Sequence, residues 1–461
     1  MDIEKIDNIF NAQRTYFDNG NTKSYDFRIK QLKKLKSVIK KNENEILEAL
    51  HLDMHKPKFE SFISEIGIIY EEISFVINNL YDWMQPKSVS TPIALQVSSS
   101  KIYTEPLGVV LIIGPWNYPF QLLIAPLIGA IAAGNCSILK PSDNTKHTAL
   151  ITEKIVKETF EENYIAVIQG AGSLVGPLLI EKYRFDHIFF TGSAGVGKQI
   201  MRMASEHLSP VTLELGGKSP AIVDKNVNIS VAAKRLVWGK FFNAGQTCVC
   251  PDYLLIHESV KNEFVAKMIH YIKEFYGDNP LNSNDYTHIV NEKRFNVLIS
   301  YLKDTTIIHG GKHSIESLCI EPTLVENVSF DHPMMKEEIF GPILPIITFK
   351  NIEEIIPIIR KNRYPLACYI FTKNKKSEEF VLQNIEFGGG CVNNTLAHLA
   401  NPELPFGGVG FSGIGNYHGK NSYDVFSHQK SMLNTYTFID PSLRYPPYKS
   451  SKDKLARMVF K

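Results

Sequence analysis

This sequence has no excess of charge of one sign. Lysine and arginine number 50 against 48 aspartates and glutamates, a net of +2. No basic stripe offers a track for a phosphate backbone, so no nucleic-acid partner is expected. Cysteine is sparse: six in 461 residues, at Cys136, Cys248, Cys250, Cys319, Cys368 and Cys391. That is no disulfide framework, and no second Cys or His pair stands at zinc spacing, so reduced thiols and no metal are expected. Long hydrophobic runs are missing. The longest, 120–133, is shorter than a membrane span and is broken by Pro126 and Gly129, so no integral membrane segment is expected. Met1-Asp2-Ile3-Glu4 carries no charged-then-apolar leader pattern, and the expected location is cytoplasmic. Fixed-period repeats and low-complexity linkers are absent as well. What is present is an ordinary globular composition, 44% hydrophobic and 21% charged, in a chain too long for one core.

Apolar residues recur at helical spacing over 27–52 and 59–84, with Pro86 as a stop. The stretch 91–104 alternates loosely around Ser98-Ser99-Ser100 and reads as a two-stranded hairpin projecting from the body. From residue 107 the pattern becomes strand, turn, helix, repeated. Short apolar strands at 109–113, 137–139, 165–168 and 187–190 alternate with helices, as in a doubly wound parallel sheet. Ligands of such sheets lie beyond the carboxyl ends of the strands, where Asn117, Lys140 and Gly192 stand. After Cys248 a second series begins. Its strands are expected at 253–257, 318–325, 343–349 and 367–371, and its helices at 260–275, 292–303, 352–361 and 376–383.

Several stretches carry chemistry. Ala244-Gly245-Gln246-Thr247-Cys248 presents one thiol beside little side-chain bulk, after a helical run at 231–242. A thiolate is the nucleophile, so such a site must lower the thiol pKa or supply a base. Leu213-Glu214-Leu215-Gly216-Gly217-Lys218 sets a carboxyl among apolar residues, where a raised pKa suits a general base. Glu337-Glu338-Ile339-Phe340-Gly341-Pro342 offers a second carboxyl beside an aromatic. Thr191-Gly192-Ser193-Ala194-Gly195-Val196-Gly197-Lys198 opens a helix after a strand, where backbone N–H groups can meet a phosphate. It is nearly a P-loop, but Gln199 stands where Ser or Thr would hold Mg²⁺. Each stretch alone also reads as plain structure: a core thiol, a paired Glu, a surface acidic pair, a strand–helix turn.

Together they resemble the aldehyde dehydrogenase family. Pro115-Trp116-Asn117-Tyr118-Pro119, Lys140-Pro141-Ser142, Phe190-Thr191-Gly192-Ser193, Leu213-Glu214-Leu215-Gly216-Gly217-Lys218, Gly245-Gln246-Thr247-Cys248, Glu338-Ile339-Phe340-Gly341-Pro342 and Pro405-Phe406-Gly407-Gly408 match in the family's order, over residues 105–415. Tyr417-His418-Gly419-Lys420 and Phe426-Ser427-His428 make the chain look most like the class 3 branch, which takes fatty and aromatic aldehydes.

The resemblance implies an α/β fold with a Rossmann-like NAD(P)-binding domain (1–88 and 105–212), an α/β catalytic domain (213–424) and small oligomerisation elements (89–104 and 425–461). It implies Cys248 as nucleophile, Glu214 as the base for the hydrolytic water, and an oxyanion hole from Asn117 and the Cys248 N–H. For the cofactor, NAD or NADP, it implies Trp116, Lys140, Ser142, Asp143, Gly192, Ser193, Ala194, Gly195, Val196, Gly197, Leu215, Glu338 and Phe340. Tyr118 and Phe406 would line the substrate pocket. Phe120, Phe241 and Phe242 are further apolar candidates for its walls, which favours an apolar aldehyde as substrate. A homodimer is expected. Asp143 stands where the family commonly has Glu, so NAD preference with some use of NADP is expected. A CoA-acylating or acyl-phosphate-linked relative of the same fold is the alternative, as is a P-loop nucleotide hydrolase; the base at Glu214 argues against the first and Gln199 against the second.

Overall fold

The structure is a computed structural model. It describes residues 3–440 and 442–460, so Met1, Asp2, Pro441 and Lys461 of the segments named above lie outside the described residues. The apolar runs Val109–Ile113, Cys136–Lys140 and His187–Thr191 are buried along their whole length. Strands that bury both faces need cover on both sides of the sheet, and helices supply it. These three run parallel beside Val211–Glu214 and Ile165–Val167 in a six-stranded sheet. Its sixth strand, Gly413–Ile414, returns from late in the chain and pairs antiparallel with Val211–Glu214. The strand order reverses between Val109–Ile113 and His187–Thr191. A crevice opens at such a reversal, beyond the carboxyl ends. Register puts Lys140 beside Ile113 and Glu214 beside Thr191, so the carboxyl ends form one edge.

The helix Gln121–Ala133 lies under that edge with every residue buried. Gly129 is required there, because a Cβ would fall 2.6 Å from Ser422 Cβ of the helix Gly419–Val425. The chain leaves the first sheet after Glu214 and enters a seven-stranded sheet at Pro220–Val223. That sheet has the order Thr306–His309, Thr323–Glu326, Ile343–Phe349, Tyr253–His257, Pro220–Val223, Ala367–Phe371, Gly389–Val392. Only the edge strand Thr306–His309 is antiparallel.

Several expectations shift. The antiparallel pair read at 91–104 lies instead between Lys87–Val89 and Ser98–Pro106, and Ser427–Thr435 adds a third strand along the whole of Ser98–Pro106. Ile93–Leu95 after Pro92 is a 3₁₀ turn, which takes those residues out of the ladder. The run 27–52 is two helices, Tyr25–Lys41 and Glu43–Met54, because the Asn42 N–H folds back on the Val38 and Ile39 carbonyls. The run 59–84 contains a π-helical turn, Phe62–Ile66. Pro322 has no N–H for a ladder, and the expected strand 318–325 divides around it into Cys319–Ile320 and Thr323–Glu326.

Gly239 lies inside the helix Ile229–Phe241, where an added Cβ would meet Thr395 Oγ1 at 2.1 Å. Alanine gains about 1 kcal/mol of helix propensity. Overpacking a buried contact costs about 1–3 kcal/mol. Gly239→Ala should therefore destabilise the protein; a urea midpoint at or above the wild-type value would show that Thr395 yields.

Candidate active site

The helix Ile229–Phe241 delivers the chain to a turn that ordinary residues avoid. Asn243 (φ 54°), Ala244 (φ 50°) and Gly245 (φ 73°) are left-handed in succession. Gly245 could hold no side chain, since a Cβ would fall 2.3 Å from the Gly341 carbonyl oxygen. Two buried amides hold the turn in shape. Asn243 Nδ2 donates to the Asn117 carbonyl at 2.9 Å and the Gln246 carbonyl at 3.1 Å. Gln246 Nε2 donates to the Asn243 and His288 carbonyls, and its Oε1 accepts from Val290 N. Asn117 Nδ2 also donates to the Gln246 carbonyl, at 3.0 Å. A primary amide has two N–H donors, so Asn117 keeps one for another acceptor.

Two cavities meet at Cys248. One, of about 300 Å³, lies at the sheet's carboxyl edge and is lined by Trp116, Asn117, Gly192, Ser193, Glu214, Leu215, Glu338 and Phe340 of the expected residues. Lys140, Ser142, Asp143 and residues 194–197 do not line it. Lys140 Nζ donates to the Pro141 carbonyl and lies 3.7 Å from Asp143 Oδ1, which accepts from Gly172 N. Gly195 has open space where a Cβ would be, whereas Gly197 is packed against Leu215 Cδ2 at 2.7 Å. The cavity also contains residues the sequence reading did not assign: Pro115, Leu122, Thr191, Gly216 and Arg294. Gly216 stood in a quoted motif, and its reason is local: a Cβ would fall 2.1 Å from Glu338 Oε2. Arg294 gave no signal beyond its place on the helix Glu292–Ser300; its Nη2 donates to the Ile339 carbonyl.

The second cavity, of about 180 Å³, is mostly apolar. Tyr118 and Phe406 line it, as does Phe242. Phe120 and Phe241 do not; they are 0% and 1% exposed and turn into the core instead. Trp238, Leu396 and Tyr417 complete the walls, and Tyr118 Oη shares a 2.6 Å hydrogen bond with Thr247 Oγ1. A third cavity, of about 380 Å³, adjoins it and shares Ile63, Ile68, Gln121, Leu399, Ala400 and His418.

Desolvation governs the electrostatics. Glu214 is 2% exposed, neither carboxyl oxygen has a partner among the described residues, and burial pushes its pKa well above its ordinary value. Burial, with Asp252 adding, pushes Glu338 up to about 8. The Cys248 thiol is raised too, by burial first and then by Glu338 and Glu214. Burial therefore favours the protonated thiol over the thiolate. Cys250 faces away, its Sγ on the Lys240 carbonyl, and burial pushes it up to about 11. Lys218 ties the two carboxyl loops together. Its Nζ reaches Asp252 Oδ2 at 2.5 Å and the Met334 and Glu337 carbonyls, while Asp252 Oδ1 accepts from Ile339 N. Among the described residues, Thr191 Oγ1, both Glu214 oxygens and Arg294 Nε line the larger cavity as buried polar atoms without partners. The Thr191 hydroxyl and Arg294 guanidinium, beside glycines that admit no side chain, fit a dinucleotide's ribose and phosphate groups.

The family model described as Aldehyde dehydrogenase family matches residues 1–432. The chain is 47% identical to the 4,4'-diaponeurosporen-aldehyde dehydrogenase of Staphylococcus aureus over 99% of both chains. It is 42% identical to the dimeric NADP-preferring aldehyde dehydrogenase of Mus musculus, over 94% of this chain and 95% of the relative. Among solved structures, a substrate-bound state of Staphylococcus aureus AldH superposes with a TM-score of 0.96 at 47% identity, covering 99% of both chains. An NAD-dependent aldehyde dehydrogenase of Sinorhizobium meliloti superposes at 0.87 with 26% identity, covering 95% and 88%.

The shifts carry a stability consequence through proton linkage. A carboxyl raised in the folded state contributes stability that is full below its unfolded pKa, near 4.5. That stability is lost as pH rises through the folded value, about 8 for Glu338 and about 7 for Glu60 and Glu72. His187, His288, His398 and His418, lowered by burial to about 4, act in the opposite sense, and only up to about pH 6.5. The urea midpoint of cofactor-free protein should fall between pH 6.5 and 8, and Glu338→Gln should make that fall shallower. Equal slopes in the two proteins would remove Glu338 from the account.

Proposed function

The chain belongs to the aldehyde dehydrogenase family and oxidises aldehydes with NAD or NADP, and from that premise we propose that Cys248, Asn117 and Glu214 carry the reaction on a long apolar aldehyde. The observation that carries this reading is Glu214, a buried carboxyl with no partner among the described residues, in the cavity that also holds Cys248. Cys248 gives up its proton to water, and the thiolate adds to the aldehyde carbon. The oxygen of the thiohemiacetal becomes an alkoxide, and the free Asn117 N–H and the Cys248 backbone N–H stabilise it. Such donors are each worth on the order of 10²–10³ in rate. The nicotinamide ring, when bound, supplies the hydride acceptor. Trp116, Leu215, Glu338 and Phe340 would hold the nicotinamide end, and Gly192, Ser193, Ala194, Gly195, Val196 and Gly197 the phosphates. Lys140, Ser142 and Asp143 would hold the adenine ribose. The thioester left on Cys248 is hydrolysed by water that Glu214 deprotonates. A carboxylate of raised pKa is a stronger base once ionised, which suits that step.

The walls of the 180 Å³ cavity and its 380 Å³ neighbour support a long apolar tail. The Staphylococcus aureus relative, named for 4,4'-diaponeurosporen-aldehyde, supports the same substrate class. Asp143, held by Gly172 N, is shorter than Glu and repels a 2′-phosphate less, so we infer preference for NAD with use of NADP. The outer strand Ser427–Thr435, with Met432 and Leu433 exposed, supports a homodimer, since open strand edges take partners. Six unpaired cysteines support a reducing, cytoplasmic location.

Glu214→Gln keeps the size and polarity of the side chain but cannot activate water. It should release about one equivalent of NADH per site and then nearly stop. Intact mass should show the acyl group on the protein. Steady turnover, or a first turnover without a retained acyl group, would assign deacylation to another base. Along a series of linear aldehydes, kcat/KM should climb about fourfold per methylene, because burying one is worth about 0.8 kcal/mol. A value independent of chain length would argue against an apolar tail site.

A further inference from the structure

Behind the site, out of reach of either cavity that meets Cys248, lies a cluster of charged groups that the mechanism above does not use. Lys56 Nζ is 2.9 Å from Glu65 Oε1, and both side chains are fully buried. Glu65 Oε2 accepts from Phe120 N at 3.1 Å and Gln121 N at 2.9 Å, the first amides of the helix that follows Asn117. Lys56 Nζ also sits 4.1 Å from the centre of the Tyr118 ring. Glu60 Oε1 accepts from Asn243 N and from Thr287 Oγ1, each at 3.0 Å. One carboxylate thus grips the segment that carries Asn117, and the other grips the left-handed turn that leads to Cys248.

The backbone is shaped for this. In an α-helix residues five apart point about 140° away from each other, at 3.6 residues per turn. The π-helical turn Phe62–Ile66, with Gly67 N bonded to the Phe62 carbonyl, closes an i to i+5 ring that contains Glu65 and begins two residues after Glu60. That winding brings residues five apart towards one face. Lys56 therefore pairs with Glu65 and acts on Glu60 through its charge alone, while the two carboxylates hold different walls of the site.

Stability does not explain the arrangement. A buried ion pair replaced by packed apolar side chains is commonly as stable or more so. Burial raises both carboxyls, Glu60 to about 7, with Lys56 opposing the shift in each. We propose that Lys56, Glu60 and Glu65 are a positioning network that sets the Asn117 amide against the Cys248 turn and so fixes the geometry of the oxyanion hole. The network rests on the roles given to Asn117 and Cys248 above. It touches neither substrate nor cofactor, so it acts on the first chemical step and leaves cofactor affinity alone.

The test is the first-turnover rate of NADH formation by stopped flow, with octanal as the probe, beside the NADH Kd from fluorescence. Misplacement by about 1 Å costs up to 10²-fold in rate. Glu60→Leu, which removes the acceptor, should slow the first turnover at least tenfold with the NADH Kd within twofold. Glu60→Gln keeps an acceptor for Asn243 N and Thr287 Oγ1 and should retain at least half of the rate. Glu65→Gln should slow the step as Glu60→Leu does. Thr287→Val, an isosteric change that leaves Glu60 with one donor, should slow it about threefold and keeps the question answerable if the other variants do not fold. Wild-type rates in Thr287→Val and in any folded Glu60→Leu would overturn the network. So would a loss of NADH affinity in parallel with the loss of rate. Cys248→Ala should show no first turnover; NADH formation by that variant would overturn the underlying site assignment instead.

Discussion

Everything at this site depends on one backbone constraint: three successive left-handed residues between the helix Ile229–Phe241 and Cys248. Non-glycine residues enter that region at a cost of about 1–3 kcal/mol each. Such a turn persists only when its surroundings over-determine it. Here the Asn243 and Gln246 side chains, both fully buried, donate to four backbone carbonyl contacts within and beside the turn. The same bonds reach the Asn117 carbonyl, so holding the thiol and holding the amide opposite it are a single act.

A second constraint is dryness. Glu214, Glu338 and Cys248 all titrate above their ordinary values because burial disfavours their charged forms. Burial therefore favours the protonated form of all three. Lys218 and Asp252 are the exception, a buried pair 2–3% exposed that compensates itself and spans the two loops carrying Glu214 and Glu338.

That Cys248, Glu214, Asn117 and Glu338 meet at one cavity was legible in the sequence, because each sits in a short motif. The strands Tyr253–His257, Ile343–Phe349 and Ala367–Phe371 were legible to the residue, since runs that bury both faces leave an unbroken apolar signature. Ser427–Thr435 was not: its face is polar, its side chains are nearly all exposed, and its partner lies at the other end of the chain. Arg294 reaches the cavity from an ordinary amphipathic helix, and the π turn at Phe62–Ile66 has no compositional mark. The raised thiol follows from the enclosure of Cys248, a property of the assembled fold and not of the residues beside it.

The strand Gly413–Ile414 closes the first sheet against Val211–Glu214, and beyond it the helix Gly419–Val425 packs on Gln121–Ala133. Asn135 Nδ2 then bonds to the Phe426 carbonyl. The chain must therefore be made as far as Ile414 before the first sheet has its last strand. Until then an apolar helix formed early waits without its final cover, and an open strand edge waits beside it. Such long-range closure slows folding and leaves nascent chains prone to aggregate. The carboxyl edge becomes complete only when residues 413–426 have joined it, so a chain cut short before them would leave the cavity at that edge without its far support.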